Sequence, residues 1–361
     1  MEMINKIYKN KKIIVTGHTG FKGSWLCFWL YLSGADVYGI SNNIPTRPSL
    51  FNLLHMKKIL KKDYRINVED YKKLKNTVKK VKPDIIFHLA AQALVKKSYK
   101  QTFRTFLTNT MGTLNILDII YNSKKKLSLV LITSDKVYKN VNTKIKYNEA
   151  SKIGGDDPYS SSKGAADIIA NSYKFLFAKK NHKIIIARAG NVIGGGDWAE
   201  DRIISDCYKS WKKNTPVKIR NPNSTRPWQH VLEPLSGYLL AGYYLLRNKK
   251  SITGQSFNFG PSKFDNKSVR DILFILQKQW TGLEVVFKKE NNIIEHNLLQ
   301  LSSSKAKKIL NWKSVLNFDE TIKFTSDWYI ALKEKKNMRE FTKNQIKIYE
   351  KKFHEINKFK I

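Results

Sequence analysis

The chain has 361 residues, 42% of them hydrophobic, which is enough to fill one large α/β unit carrying an appended lobe. Its formal net charge of +37 does not make nucleic acid the expected partner, because the lysines spread from Lys6 to Lys360, often beside Asn and Ile, without helix-turn-helix, zinc-finger or RNP spacing. No stretch approaches the roughly 18 to 20 uncharged apolar residues of a membrane span, and Cys27 and Cys207 are too far apart to suggest a disulfide framework or a metal knuckle, so neither a membrane anchor nor a metal is expected.

The lysine-rich start Met1–Lys12 runs directly into a strand rather than into the apolar core of a signal peptide, which predicts a cytoplasmic protein. Ile13–Thr16 is a β-branched run ending in Gly17-His18-Thr19-Gly20-Phe21-Lys22-Gly23, and Ser24–Ser33 then reads as an apolar-rich helix. Further apolar runs follow at Asp36–Ile40, Asp84–Leu89, Leu129–Thr133 and Lys183–Ala187, with helices predicted at Tyr71–Val81, Thr102–Tyr121 and Ala165–Lys179. That alternation predicts parallel strands with helices on both faces. Past Gly190 the rhythm changes to loops with glycine, proline and tryptophan, and from Ser268 onward the chain is helix-rich and basic. The expected division is a dinucleotide-binding domain of residues 1–190 rejoined by about 228–261, with a substrate lobe from 191–227 and 262–361.

The glycines of Gly17–Gly23, spaced Gly-x-x-Gly-x-x-Gly, permit a tight turn and a close approach of backbone N–H groups to a pyrophosphate at a helix N-terminus. The carboxylate that usually follows the second strand is missing; Ser41, Asn42 and Asn43 stand there, and Asn can bond a ribose hydroxyl without repelling a 2′-phosphate. NAD over NADP is therefore an open preference. Tyr159 and Lys163, four apart on a helix, share a face, so the ammonium can sit beside the phenol and lower its pKa. A phenol tuned that way trades protons with a substrate hydroxyl. Three strand ends deliver further polar groups to the same crevice: His88–Gln92, Thr133–Lys136 and Arg188–Asn191. In the second, Ser134, Asp135 and Lys136 form a trio of hydrogen-bond donor, acid and potential base.

These motifs resemble the extended short-chain dehydrogenase/reductase (NAD-dependent epimerase/dehydratase) family, and within it they are similar to the CDP-glucose 4,6-dehydratases. The likeness rests on Thr16–Trp25, Pro45–Leu50, Leu89–Gln92, Thr133–Lys136, Asp157–Gly164, Arg188–Trp198 and Arg226–Gly237, continuing in order to Asn311-Trp312. Thr133–Lys136 discriminates best, since the related dTDP-glucose dehydratases carry Asp-Glu where this chain has Asp135-Lys136.

The resemblance implies a Rossmann-type doubly wound parallel sheet with a smaller C-terminal lobe. It implies dehydration of a nucleotide diphosphate sugar through hydride carried by bound NAD, in deoxysugar synthesis for lipopolysaccharide O-antigen, by a homodimer or homotetramer. Tyr159 would take the C4 hydroxyl proton, Ser134 bonding that oxygen and Lys163 holding the phenolate. Asp135 would protonate the departing C6 hydroxyl. Lys136 would remove the C5 proton, which needs a neutral amine and hence burial beside Lys163. Implied cofactor contacts are Gly17, Thr19, Gly20, Phe21, Lys22, Gly23, Asn43, Asn67, Leu89, Ala90 and Ala91, together with Tyr159 and Lys163. The family usually has Asp at the positions of Asn43 and Asn67. Implied substrate contacts are Gln92, Asn191, Arg202 and Arg226, with Arg226 suited to bidentate diphosphate binding. Two rivals remain: a dehydratase or epimerase of a GDP-, UDP- or dTDP-hexose, and a non-catalytic redox sensor or basic nucleic-acid-binding protein. Asp135-Lys136 would have no task in an epimerase, and a sensor would commonly lack Tyr159.

Overall fold

Strands rich in Ile, Val and Leu assemble into one seven-stranded parallel sheet in the computed structural model, which describes residues 1–141, 145–261, 267–287 and 299–357. The strands are β1 (Lys12–Thr16), β2 (Asp36–Ser41), β3 (Lys62–Arg65), β4 (Ile85–His88), β5 (Ser128–Ile132), β6 (Lys183–Ala189) and β7 (Gln255–Phe259). Their spatial order is β7-β6-β5-β4-β1-β2-β3, with every neighbouring pair parallel. This is the doubly wound Rossmann-type order. The chain reverses direction across the sheet between β1 and β4, and a crevice opens there at the strand C-termini.

Both faces of this sheet are buried, which is why its strands read as continuous rather than alternating apolar runs. On one face Val15, Phe87, Val130 and Ile185 pack with helices α2 (Phe21–Leu32) and α7 (Leu232–Leu246). On the other, Ile14, Ile86, Leu129 and Ile184 pack with α3 (Tyr71–Val81), α4 (Gly112–Tyr121) and α5 (Pro158–Lys179). Strand β7 enters late in the chain and pairs with β6 from Gln255↔Ile185 to Phe259↔Ala189.

Four expectations change. Met1–Lys12 does not lead straight into β1: Glu2–Tyr8 forms a helix, α1, that buries Ile4 and Tyr8. Edge strand β3 was not anticipated, because Lys-Asp-Tyr-Arg carries no apolar run. The helix expected over Thr102–Tyr121 is interrupted by a π-helical turn, Leu107–Met111. Past that turn Gly112 lies against Val68, where a Cβ would approach its Cγ2 to 2.6 Å. Helix α5 begins at Pro158 instead of Ala165, because the Asp157 carboxylate accepts from Tyr159 N and Ser160 N and Pro158 suits the first turn.

Beyond β6 the chain adds α6 (Ile203–Lys213), α8 (Val269–Gln279), α9 (Phe318–Lys333) and α10 (Met338–Asn357). An aromatic cluster joins α6, the end of α8 and α9, with Trp211 and Trp280 stacked at 4.8 Å and Tyr208 against Tyr329 at 4.8 Å. Parts of the expected substrate lobe, 262–266, 288–298 and 358–361, lie outside the described residues.

Candidate active site

The turn after β1 is held open by its glycines. Gly17 has φ of 74°, a left-handed conformation, and a Cβ there would lie 2.8 Å from Ala90 N, where the chain leaving β4 crosses it. A Cβ on Gly23 would lie 2.1 Å from Gly17 O. The loop therefore folds back on itself, Gly17 N donating to Ile40 O at 2.8 Å and Gly20 N to Gly17 O at 3.1 Å, and it leads into the N-terminus of the twelve-residue α2, whose first-turn N–H groups suit an anion. Such a cradle fits a dinucleotide pyrophosphate. Thr19 ties the loop to the end of β2, its hydroxyl donating to Asn43 O at 2.6 Å. Asn43 and Asn67 stand exposed at the ends of β2 and β3. His18 is buried below the loop and paired with Asp63 Oδ1 at 2.9 Å, in space that Gly39 leaves by lacking a Cβ.

At the end of β5 the Ser134 hydroxyl donates to Asp135 Oδ1 at 2.9 Å and accepts from Lys136 N at 3.2 Å. Ser134 also lies within hydrogen-bonding reach of the Tyr159 phenol. Helix α5 buries both Tyr159 and Lys163, and Lys163 Nζ donates to Ile132 O at 3.3 Å. Burial raises the pKa of Tyr159, opposed first by the Ser134 hydroxyl and, after the Asp135 charge adds to the rise, by the Arg202 guanidinium. The lowering expected from the Tyr159–Lys163 spacing is thus reversed, since desolvation outweighs the Ser134 hydroxyl and the Arg202 guanidinium. Lys163 itself is brought to about 8 by burial, then by repulsion from Lys22. Lys22 is brought to about 8 by burial, with Asp135, Arg202 and Asp197 as its charged neighbours. The structure thus gathers Lys22, Ser134, Asp135, Tyr159, Lys163 and Arg202 around one point.

Other assignments land differently. The burial foreseen for Lys136 is absent: the buried side chains of Asp135 and Val137 flank it on a single 3₁₀ turn, and Lys136 is left half-buried at a rim shared with Asp156, Asp157 and Ser160. Gln92 spends its amide inside the protein, donating to Leu94 O and Thr105 Oγ1 at 3.1 Å and accepting from Leu94 N at 2.7 Å. His88 does not reach the crevice; it bonds Thr16 Oγ1 at 2.8 Å, and burial, aided by the Lys163 charge, holds its pKa near 3, so the ring is neutral. Arg188 likewise turns away, forming a buried bidentate pair with Asp167 at 2.6 and 2.8 Å and donating to Tyr138 Oη at 2.8 Å. Asn191 contributes its carbonyl to Gln229 N at 3.3 Å, and Arg226, half-buried, donates to Thr225 O at 2.9 Å. Arg202 caps α6 and lies 3.7 Å from Asp197.

Sequence reasoning missed Asn109, on the π-helical turn. It donates to Ser162 Oγ at 2.9 Å and Gln92 O at 3.1 Å and accepts from Gln92 N at 2.8 Å, so it fastens the Tyr159 helix to the loop after β4. It also missed Tyr238 on α7, a wholly buried side chain whose hydroxyl pKa is raised first by burial and then by the charges of Tyr159 and Asp135. Neither residue stands in a motif whose spacing announces it. No group of three or more potential metal ligands occurs among the described residues.

Comparison with known proteins points the same way as this geometry. Residues 14–325 match the family described as GDP-mannose 4,6 dehydratase. The chain is 40% identical over 355 residues to the CDP-glucose 4,6-dehydratase of Salmonella typhimurium, covering 96% of this chain and 98% of that one. Among solved structures it is similar to the epimerase Mth375 of Methanothermobacter thermautotrophicus, with TM-score 0.78 and 22% identity over 93% of this chain and 98% of that one. It is also similar to the dTDP-glucose 4,6-dehydratase of Bacillus anthracis in complex with NAD, with TM-score 0.74 and 19% identity over 90% and 98% of the two chains. At those identities the structural likeness speaks for the fold alone.

Proposed function

The chain belongs to the GDP-mannose 4,6-dehydratase family, and from that premise we propose that it is an NAD-dependent hydro-lyase converting CDP-glucose to CDP-4-keto-6-deoxyglucose. The observation that carries this reading is the Ser134-Asp135-Lys136 trio at the end of β5, its hydroxyl and acid beside the buried Tyr159 phenol, in a chain 40% identical to a CDP-glucose 4,6-dehydratase along almost its whole length.

The Gly17–Gly23 turn and the N-terminus of α2 would hold NAD, which when bound would supply the hydride acceptor for C4 and the hydride donor for C6, so the overall reaction is a dehydration without net redox change. The protein's own groups move the protons. Tyr159 accepts the C4 hydroxyl proton as a phenolate, a form that burial disfavours and that Lys163 and the positive charge of bound NAD would have to restore, while Ser134 bonds the same oxygen. Lys163 keeps a positive charge close to the phenolate. With C4 a ketone, the C5 proton is acidic, and Lys136 removes it; Lys136 is only half-buried at its rim, so the neutral amine this step needs would have to form once substrate covers that rim. Asp135 gives its proton to the C6 hydroxyl, the C6–O bond breaks, and water leaves a C5–C6 double bond. Lys136 then returns a proton to C5, and the proton left on Tyr159 balances the one Asp135 gave up. Arg202 and Arg226 suit the diphosphate, and Asn191 is a further candidate for it.

Residues 1–190 with about 228–261 form the cofactor domain, and the remainder forms the substrate lobe. The enzyme works in the cytoplasm, supplying a deoxysugar for surface polysaccharide. It does so as a homodimer or dimer of dimers whose subunits meet through the helices of Thr102–Tyr121 and α5.

Incubating the purified protein with CDP-, GDP-, UDP- and dTDP-hexoses tests the reading. CDP-glucose should give the 4-keto-6-deoxy product fastest. Faster turnover of GDP-mannose would move the chain to the family's other substrate, and product from none would overturn the assignment.

A further inference from the structure

Asp135 is anchored on one side only. Its Oδ1 accepts from Ser134, whereas Oδ2 is buried without a hydrogen-bond partner, a costly state for a carboxylate. Gly190, at the end of β6, keeps the space beside that oxygen open, since a Cβ there would lie 2.7 Å from Oδ2. A second buried polar atom without a partner is the hydroxyl of Tyr238, a side chain 0% exposed. The two belong to the same neighbourhood. Val231 N donates to Ile193 O at 2.8 Å, which starts α7 beside the chain leaving β6, so the first turns of that helix lie near Gly190. Phe259 sits against the helix at Gly237, where a Cβ would come within 2.3 Å of its ring, and Tyr238 packs edge-on to the same ring at 5.8 Å. The charges that act on the Tyr238 hydroxyl are those of Tyr159 and Asp135. A phenol has a proton to give and this carboxylate oxygen has a lone pair to fill, so the two defects are complementary.

We propose that Tyr238 is a positioning residue for elimination: its hydroxyl donates towards Asp135 Oδ2 through one bridging water, and holds the carboxyl at the angle from which it meets the C6 hydroxyl. Tyr238 acts through Asp135 and has no part in removing the C4 hydroxyl proton. This deepens the functional reading above and rests on it for the identity of the leaving group.

Tyr238→Phe removes one hydroxyl that no other group in the structure uses, so the fold should survive, and an unchanged melting temperature checks that. With CDP-glucose, C4 oxidation and KM should stay near wild type while water loss slows about tenfold, the scale of one lost hydrogen bond, and the absorbance of reduced cofactor should build up. In an Asp135→Asn background the same substitution should add nothing further. Dehydration at the wild-type rate, or equal slowing of oxidation and elimination, would overturn the proposal. A second measurement does not need turnover. The carboxyl-carbon resonance of Asp135 should move in Tyr238→Phe and stay put in a Tyr243→Phe control, and an unmoved resonance overturns the proposal even if CDP-glucose proves not to be the substrate.

Discussion

Tyr159 and Lys136 carry different halves of the proposed reaction, and single substitutions separate them. Tyr159→Phe removes the acceptor of the C4 hydroxyl proton, so reduced cofactor and product should both fall by the roughly 10²- to 10⁴-fold typical of acid–base catalysis. Lys136→Ala leaves oxidation possible while the C5 proton stays in place. Reduced-cofactor absorbance should then accumulate, and exchange of deuterium from solvent into C5 should cease; dehydration at the wild-type rate would make Lys136 merely structural. Asn43 offers a second residue-scale test. It stands exposed at the end of β2, tied through its carbonyl to Thr19 in the phosphate loop, where a carboxylate would repel a 2′-phosphate. Asn43→Asp should tighten NAD binding and weaken NADP binding by calorimetry. An unchanged ratio would mean that Asn43 does not face the adenosine ribose.

At the scale of the element, α7 works as a clasp between the sheet and the C-terminal helices. Near its start Glu233, 1% exposed, accepts from Val315 N at 2.9 Å and Leu316 N at 2.7 Å through Oε1, and its Oε2 lies 2.8 Å from Tyr349 Oη of α10. Burial raises its pKa to about 7, the two backbone donors and Tyr349 only partly offsetting desolvation. The sign follows from linkage: the fold binds this proton more tightly than the unfolded chain, so Glu233 contributes stability that is fully present below its unfolded pKa of about 4.3 and is lost as pH rises through about 7. Glu233→Gln keeps the acceptor for both backbone donors and cannot ionise. Its melting temperature should therefore fall less than that of wild type between pH 5 and 8, and an equally steep fall would show that Glu233 does not titrate in this window.

Legibility from sequence follows the same division between near and far. Helix α3 has the bounds Tyr71–Val81 that its apolar spacing predicts, because Leu74, Val78 and Val81 mark one buried face within the helix itself. The glycine turn after β1 and the shared helix of Tyr159 and Lys163 were equally plain, since both are set by residues a few positions apart. What stayed hidden depends on partners far along the chain. Arg188 looks like a crevice residue until Asp167 claims it; Gln92 looks like a substrate ligand until Thr105 takes its amide. Burial works at the same range: only the assembled fold shows that Tyr159 is desolvated enough to raise its pKa and that Lys136 is not enclosed.

For the molecule as a whole, the strongest clue to assembly is where apolar surface remains uncovered. Phe103 is 81% exposed and Phe175 is 77% exposed, with Tyr99, Met111 and Ile168 also open to solvent. They lie on helices Val95–Lys100, Thr102–Phe106 and α5 and on the π-helical turn between them. These helices pack against one another on one face of the sheet, whereas a +37 chain has ample charge to place on a face meant for water. Covering this apolar face with the same face of a second copy gives a closed two-fold dimer. Such a pairing would bear on the site, because α5 carries Tyr159 and Lys163 near its N-terminus and Phe175 on a later turn, so a partner on the outer side of α5 would stabilise the helix that presents the phenol. Light scattering at micromolar concentration should report a dimer or tetramer for the wild-type protein. Phe103→Glu combined with Phe175→Glu should shift it toward monomer, since a buried pair of carboxylates against their symmetry mates costs more than the contact returns. A wild-type monomer, or a double variant that stays dimeric, would place the interface elsewhere and leave these phenylalanines without a partner in the assembly.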